Sequence, residues 1–202
     1  MTATTDRAGV ETTPDLRPLL SAAFDQVEHL VTTIDRADAG LPTPCDGWDV
    51  DDLAGHVIAV VRRIGVVLQG LPPFSVPSTM ESTDWVGDWA HWRAETERVL
   101  ADDAVLDLDV QVPWGTVTGA QAIGSYAGEL ATHSWDLARA LGRDAELDGR
   151  LAEAVLPAIL AKIPAEPRDQ MPFGPVVEVG PAATAFERML AWQGRDPAWR
   201  PA

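Results

Sequence analysis

Residues 118–141 read TGAQAIGSYAGELATHSWDLARAL, and this stretch decides the fold. Ile123, Tyr126, Leu130, Leu137 and Leu141 recur every three or four residues, the period of one helical face. Thr118 and Gln121 have the spacing of a capping box, in which each side chain satisfies the other's backbone N–H, and Gly142 supplies a stop. A helix this long with a single apolar stripe must bury that stripe against other helices. His133 lies on the stripe, and Glu129 precedes it by four residues, one turn away.

The same logic extends towards the N-terminus. A second helix is expected from the N-cap Asp49 to Gly70, with Asp51 and Asp52 favouring its dipole. Its stripe is Leu53, His56, Val57, Val60, Ile64 and Val67, again with a histidine among the apolar positions. A first helix is expected from Asp15, carrying Leu16, Leu19, Leu20, Ala23, Val27, Leu30, Val31 and Ile34, until Gly40, Pro42 and Pro44 end it. A third spans about 84–101, with Trp85, Trp89, Trp92 and Val99 inward. Residues 1–13 are Thr-rich and aperiodic and are expected to be a disordered tail, leaving residues 14–202 as one domain.

Between the third and fourth helices the period changes. Leu106, Leu108, Val110 and Val112 alternate with polar residues, as in a half-buried strand, and Pro113-Trp114-Gly115 turns it back through Thr116–Thr118. A fifth helix follows over about 148–162. Five prolines between Pro164 and Pro181 impose extended loop, and a short last helix covers 182–193. Four amphipathic helices with one small hairpin make an all-α bundle with short C-terminal helices. The proline-rich stretch, with Met171 and Phe173, is read either as a lid over the bundle mouth or as a clasp on its outside.

Charge narrows the function. The chain has 15 basic and 31 acidic side chains, a net charge of −16, which excludes a phosphate-tracking nucleic-acid binder and disfavours an anionic membrane. Fourteen of the 15 basic residues are Arg, Lys162 being the exception, which reads as coding bias rather than function. No apolar run reaches the about 18 residues of a membrane span, and the N-terminus has no apolar signal core. A single cysteine, Cys45, excludes an internal disulfide and fits a reducing compartment, so a cytoplasmic protein is expected.

Imidazole and carboxylate on apolar stripes need partners, because burying them alone costs several kcal/mol. Two explanations stay open. Each histidine is bonded to a backbone carbonyl or Tyr126 while Glu129 pairs with an arginine; or His56, Glu129 and His133 converge on a divalent cation. A His₂Glu set leaves coordination positions free, the pattern of a catalytic zinc site. HExxH, paired CxxC and the Glu-x-x-His of di-iron bundles are all missing, which favours one ion over two. His29 and His91 sit off the stripes and are expected in solvent; Cys45 is expected to be a small buried hydrophobe rather than a ligand or nucleophile. Asp136, three residues after His133, is read as a solvated carboxylate, with a hydrogen bond to His133 as the alternative. No phosphate loop or Gly-x-Ser-x-Gly elbow is present.

Pro42-Thr43-Pro44-Cys45, Trp48-Asp49-Val50, and Asp52-Leu53 through His56 resemble the opening motif of the mycothiol-dependent maleylpyruvate isomerase N-terminal domain, within the DinB-like superfamily. Glu129 through His133, Trp135-Asp136-Leu137-Ala138, Phe173-Gly174-Pro175 and Gly194-Arg195-Asp196-Pro197 extend the resemblance to its single-domain metal-binding members. The resemblance implies a DinB-like four-helix bundle holding one zinc or nickel ion through His56, Glu129 and His133. It further implies a low-molecular-weight thiol such as mycothiol as cofactor, and thus a thiol S-transferase or thiol-assisted isomerase acting on a small electrophile. Asp136 and Tyr126 are the candidates for proton transfer. A metal-assisted hydrolase and a non-catalytic metal-binding or stress-response module are the alternatives. The chain ends near residue 202 and is expected to lack the isomerase's second domain, which limits the carry-over to metal and thiol. Oligomeric state stays open, a homodimer included.

Overall fold

The computed structural model describes residues 14–201; the expected tail over 1–13 lies outside them. Four helices form the bundle: α1 (Arg17–Val31), α2 (Val50–Leu68), α3 (Trp85–Leu100) and α4 (Gly119–Ala140). Helix α1 packs on α4 and α3, and α2 on α3 and α4, so each apolar stripe faces two others. Between α3 and α4 lies an antiparallel hairpin, β1 (Asp109–Val112) and β2 (Gly115–Thr118), with Val110 opposite Val117. Helices α5 (Gly149–Lys162) and α6 (Ala185–Trp192) pack on each other and on α4. The fold is the expected all-α bundle with a small hairpin and short C-terminal helices.

Local chemistry accounts for most boundaries. The capping box of α4 is formed, with Gln121 N–H donating to Thr118 Oγ1 at 3.3 Å and Thr118 N–H to Gln121 Oε1 at 3.1 Å. Asp49 caps α2 in the same way with Asp52. Three boundaries differ from expectation. Helix α1 stops at Val31, where the Thr32 and Thr33 hydroxyls turn back onto carbonyls of its last turn; Ile34 lies beyond it. Helix α6 starts at Ala185 rather than 182, because Thr184 and Glu187 make their own capping box. Only half of the alternating strand forms: Val110 and Val112 are buried, but Leu106 closes a 3₁₀ turn capped by Asp102 and Leu108 is 44 % exposed. The cap competes with the strand and wins.

The proline-rich stretch runs outside the bundle, fastened to α6. Val177 N–H donates to the Ala191 carbonyl at 2.9 Å, and Arg168 donates to the Gly174 carbonyl at 2.6 Å. Gly194, at φ +86°, touches Gly174 so closely that a Cβ on Gly194 would collide with its backbone. This contact fixes where the chain goes next, which is into the site.

Candidate metal centre

The three sequence-selected donors meet. Ligand atoms of His56, Glu129 and His133 lie within 4.8 Å of one another between α2 and α4. His56 Nε2 is 3.7 Å from Glu129 Oε1, and the two imidazoles meet edge to face at 4.7 Å between centroids. All three side chains are largely enclosed yet retain an accessible edge.

Each imidazole has its outer nitrogen engaged. His56 Nδ1–H donates to the Ser78 carbonyl at 2.7 Å, which leaves the Nε2 lone pair facing Glu129. The segment that carries this carbonyl packs on α2 at Gly55, where a Cβ would run into the Met80 carbonyl. His133 Nδ1 is 3.0 Å from Asp136 Oδ2, so its Nε2 is likewise free. Carbonyl–imidazole and carboxylate–imidazole pairs of this kind fix the tautomer that binds a cation. The two explanations read from sequence thus coexist: a backbone carbonyl does satisfy His56, and by doing so it prepares the other nitrogen as a ligand. The donor set of two imidazole nitrogens and a carboxylate fits zinc or nickel. Burial works against the charged forms of both Glu129 and His133. For Glu129, His56, His133 and Arg63 outweigh it and hold the carboxyl below its usual range. For His133, burial prevails and lowers the imidazole value despite Asp136, which keeps the ring neutral.

Asp136 is not solvated, as the sequence reading expected; it is fully buried. The reason is Arg195, delivered by the Gly194 turn. Its Nε meets Oδ1 at 2.9 Å and its Nη2 meets Oδ2 at 2.9 Å, a bidentate pair that supplies the counter-charge burial requires. Burial raises the Asp136 value, but Arg195 and His133 reverse this and bring it below the ordinary 3.8. Cys45 sits beside the same carboxylate, Sγ 3.3 Å from Oδ2. Burial and then Asp136 push its thiol up to about 12, so it is a protonated donor and not an activated nucleophile. Cys45, His133 and Asp136 also bring ligand atoms within 4.8 Å of one another, but the guanidinium of Arg195 already provides the positive charge there. The histidines expected in solvent are exposed, with His29 Nε2 2.7 Å from Glu146.

Three neighbours escaped the sequence reading. Trp48 lies over His56 at 4.8 Å between centroids, placed by a turn in which the Trp48 carbonyl accepts from Thr43 Oγ1 at 2.8 Å. Arg63 follows His56 by two turns on the same face; a charge on an otherwise apolar stripe was its available signal. Arg195 sits in a quoted motif, yet nothing local ties it to a residue 59 positions earlier.

Comparison with known proteins agrees with the fold. Residues 20–138 match the model of the mycothiol maleylpyruvate isomerase N-terminal domain family. Two uncharacterized proteins of Mycobacterium tuberculosis, one of strain CDC 1551 / Oshkosh and one of strain ATCC 25618 / H37Rv, are each 28 % identical over 141 residues, covering 70 % of this chain and 75 % of theirs. Among solved structures, a histidine-to-alanine variant of the mycothiol-dependent maleylpyruvate isomerase superposes with a TM-score of 0.60 at 17 % identity, covering 73 % of this chain and 69 % of that one.

Proposed function

The chain belongs to the mycothiol maleylpyruvate isomerase N-terminal domain family, and on that footing we propose that residues 14–202 form a single metal-dependent, thiol-using domain. It acts as a thiol S-transferase or thiol-assisted isomerase on a small electrophile in the cytoplasm. The observation that carries the reading is the convergence of His56, Glu129 and His133 within 4.8 Å, each imidazole with its far nitrogen already held.

In this reading His56 Nε2, Glu129 and His133 Nε2 hold one zinc or nickel ion. A bound divalent cation makes deprotonation of a coordinated thiol or water easier. The protein's own part is to orient both imidazoles through Ser78 and Asp136, and to close one side of the site with Trp48. Cys45 remains a protonated thiol, so the reactive sulfur comes from the small-molecule cofactor, mycothiol by family relation. Tyr126 holds its proton, because burial and the Glu129 charge raise it, and serves as a donor rather than a base. No helix among the described residues is long and apolar enough to cross a membrane.

Elemental analysis of tag-free protein is the first test, with about one zinc or nickel per chain expected. None after reconstitution removes the proposal. Mycothiol titrated into the loaded protein should then bind by calorimetry and be consumed with an electrophile. Retention of metal and thiol without product would instead identify a binding module.

A further inference from the structure

The family match ends at residue 138, yet the chain beyond α6 returns to the donor cluster. Three anchors hold it along α4. Gln193 Nε2 donates to Thr132 Oγ1 at 3.0 Å, Arg195 pairs with both oxygens of Asp136, and the Pro197 carbonyl accepts from Arg139 Nη2 at 3.0 Å. Thr132, Asp136 and Arg139 are four and then three residues apart, which puts them on one face of α4. Their partners are residues 193, 195 and 197 in the same order, so the segment runs beside α4 in its direction. Gln193, Thr132 and Arg139 are buried, and Asp136 is fully so. Enclosed polar groups matched one to one specify a single register, because a slipped segment would strand several of them.

His133 lies within this contact, one residue after Thr132, and its Nδ1 is 3.0 Å from Asp136 Oδ2. The same oxygen accepts from Arg195 Nη2 at 2.9 Å. The two imidazoles of the cluster are thus held by different means. His56 leans on the Ser78 carbonyl, a backbone group in the loop packed on α2 at Gly55. His133 leans on a carboxylate, which can turn about its side-chain bonds and whose charge is enclosed. The planar guanidinium grips both oxygens and fixes that turn. Arg195 in its turn reaches Asp136 because Gly194 bends at φ +86° against Gly174.

We propose that residues 193–197 form a strap that positions His133, with Arg195 acting through Asp136, so that the metal affinity of the cluster depends on a segment that supplies none of its donors. The inference rests on the metal reading above and extends it to a part of the chain outside the family match. Linkage makes the effect reciprocal: the docked strap raises zinc affinity, and zinc loading holds the strap docked by the same factor. Arg195 is a positioning residue, not a ligand.

The test measures zinc affinity, by competition with a chelator, on full-length wild type, Arg195→Met, Arg195→Lys, Asp136→Asn and the double variant Asp136→Asn with Arg195→Met. Arg195→Met should bind zinc about tenfold more weakly. Arg195→Lys keeps the charge but loses the two-point grip and should fall between that variant and wild type. On the Asp136→Asn background the Arg195 change should add little, because the route to His133 is already cut. Thr96→Val removes a buried hydroxyl bonded to the Val61 carbonyl, away from the strap. It should lower the unfolding temperature and leave zinc affinity unchanged, which separates positioning from loss of stability. In the metal-free protein, nitrogen chemical shifts of the His133 ring should report the Nδ1–H tautomer in wild type and a mixture in Arg195→Met. Should Arg195→Met not fold, Arg195→Lys carries every comparison. Equal zinc affinities, a loss that Thr96→Val matches, a loss repeated in full on Asp136→Asn, or an unchanged His133 tautomer would each overturn the strap and leave the metal reading standing. Wild type that takes up no zinc removes the metal reading instead, and the His133 tautomer then decides the strap alone.

Discussion

On one side of the donor cluster, Asp136 is fully enclosed and its oxygens meet Arg195, His133 and Cys45. On the other, Arg63 and Tyr126 are enclosed almost as completely and meet a single carbonyl between them. The difference separates a braced flank from an unbraced one. A buried charge with every valence met holds its neighbours in place, whereas a buried hydroxyl without an acceptor holds nothing. The two flanks should therefore respond to substitution in opposite ways.

The largest effect is expected at the centre they share. His133→Ala should take bound zinc or nickel from about one per chain to near none by elemental analysis, since three ligands are close to the minimum. Next comes the braced flank. Asp136→Ala leaves Arg195 enclosed without its partner and should cost about 3–5 kcal/mol in urea unfolding, with metal affinity down about 10–100-fold. Replacing Asp136 and Arg195 together by leucine should cost less than the sum of the single changes. Additive costs would show that the pair is not a unit.

Acid should act on the same flank. Because the folded Asp136 value lies below its ordinary 3.8, the stability it adds is complete above that value and is lost as pH falls through the folded one. Wild type should lose stability more steeply than Asp136→Asn below about pH 4, measured by urea unfolding across a pH series. Equal slopes would mean the carboxylate is not specially held. On the opposite flank, Tyr126→Phe should unfold within about 1 kcal/mol of wild type or above it, because it removes a buried hydroxyl that has no hydrogen-bond partner. A loss comparable to that of Asp136→Ala would erase the contrast between the flanks. The smallest effect belongs to Cys45→Ala, which should leave metal content unchanged. The wild-type thiol, pushed up to about 12, should resist alkylation near neutral pH.

Much of this was legible in the order of residues, and the reasons are local. Thr118 with Gln121 and Asp49 with Asp52 set the starts of α4 and α2 because a cap and its partner are three residues apart. His56, Glu129 and His133 stood out because polar side chains on apolar stripes break a pattern a reader can count. Leu106 and Leu108 misled for the same reason: they kept a strand's alternation while Asp102, just upstream, closed a turn instead. Asp136 was misjudged because its partner, Arg195, arrives from beyond two helices and a proline-rich loop.

Taken alone, the sequence determined the helices, their inward faces and the three donors, since periodicity and capping act over a few residues. Folding in three dimensions decided which nitrogen of each imidazole is free and which carboxylate is braced. Those properties depend on the Ser78 carbonyl reaching His56, with Met80 packed against Gly55, and on Arg195 reaching Asp136 past the Gly174–Gly194 contact. Such contacts join residues far apart in the chain, and only packing brings them within hydrogen-bond distance.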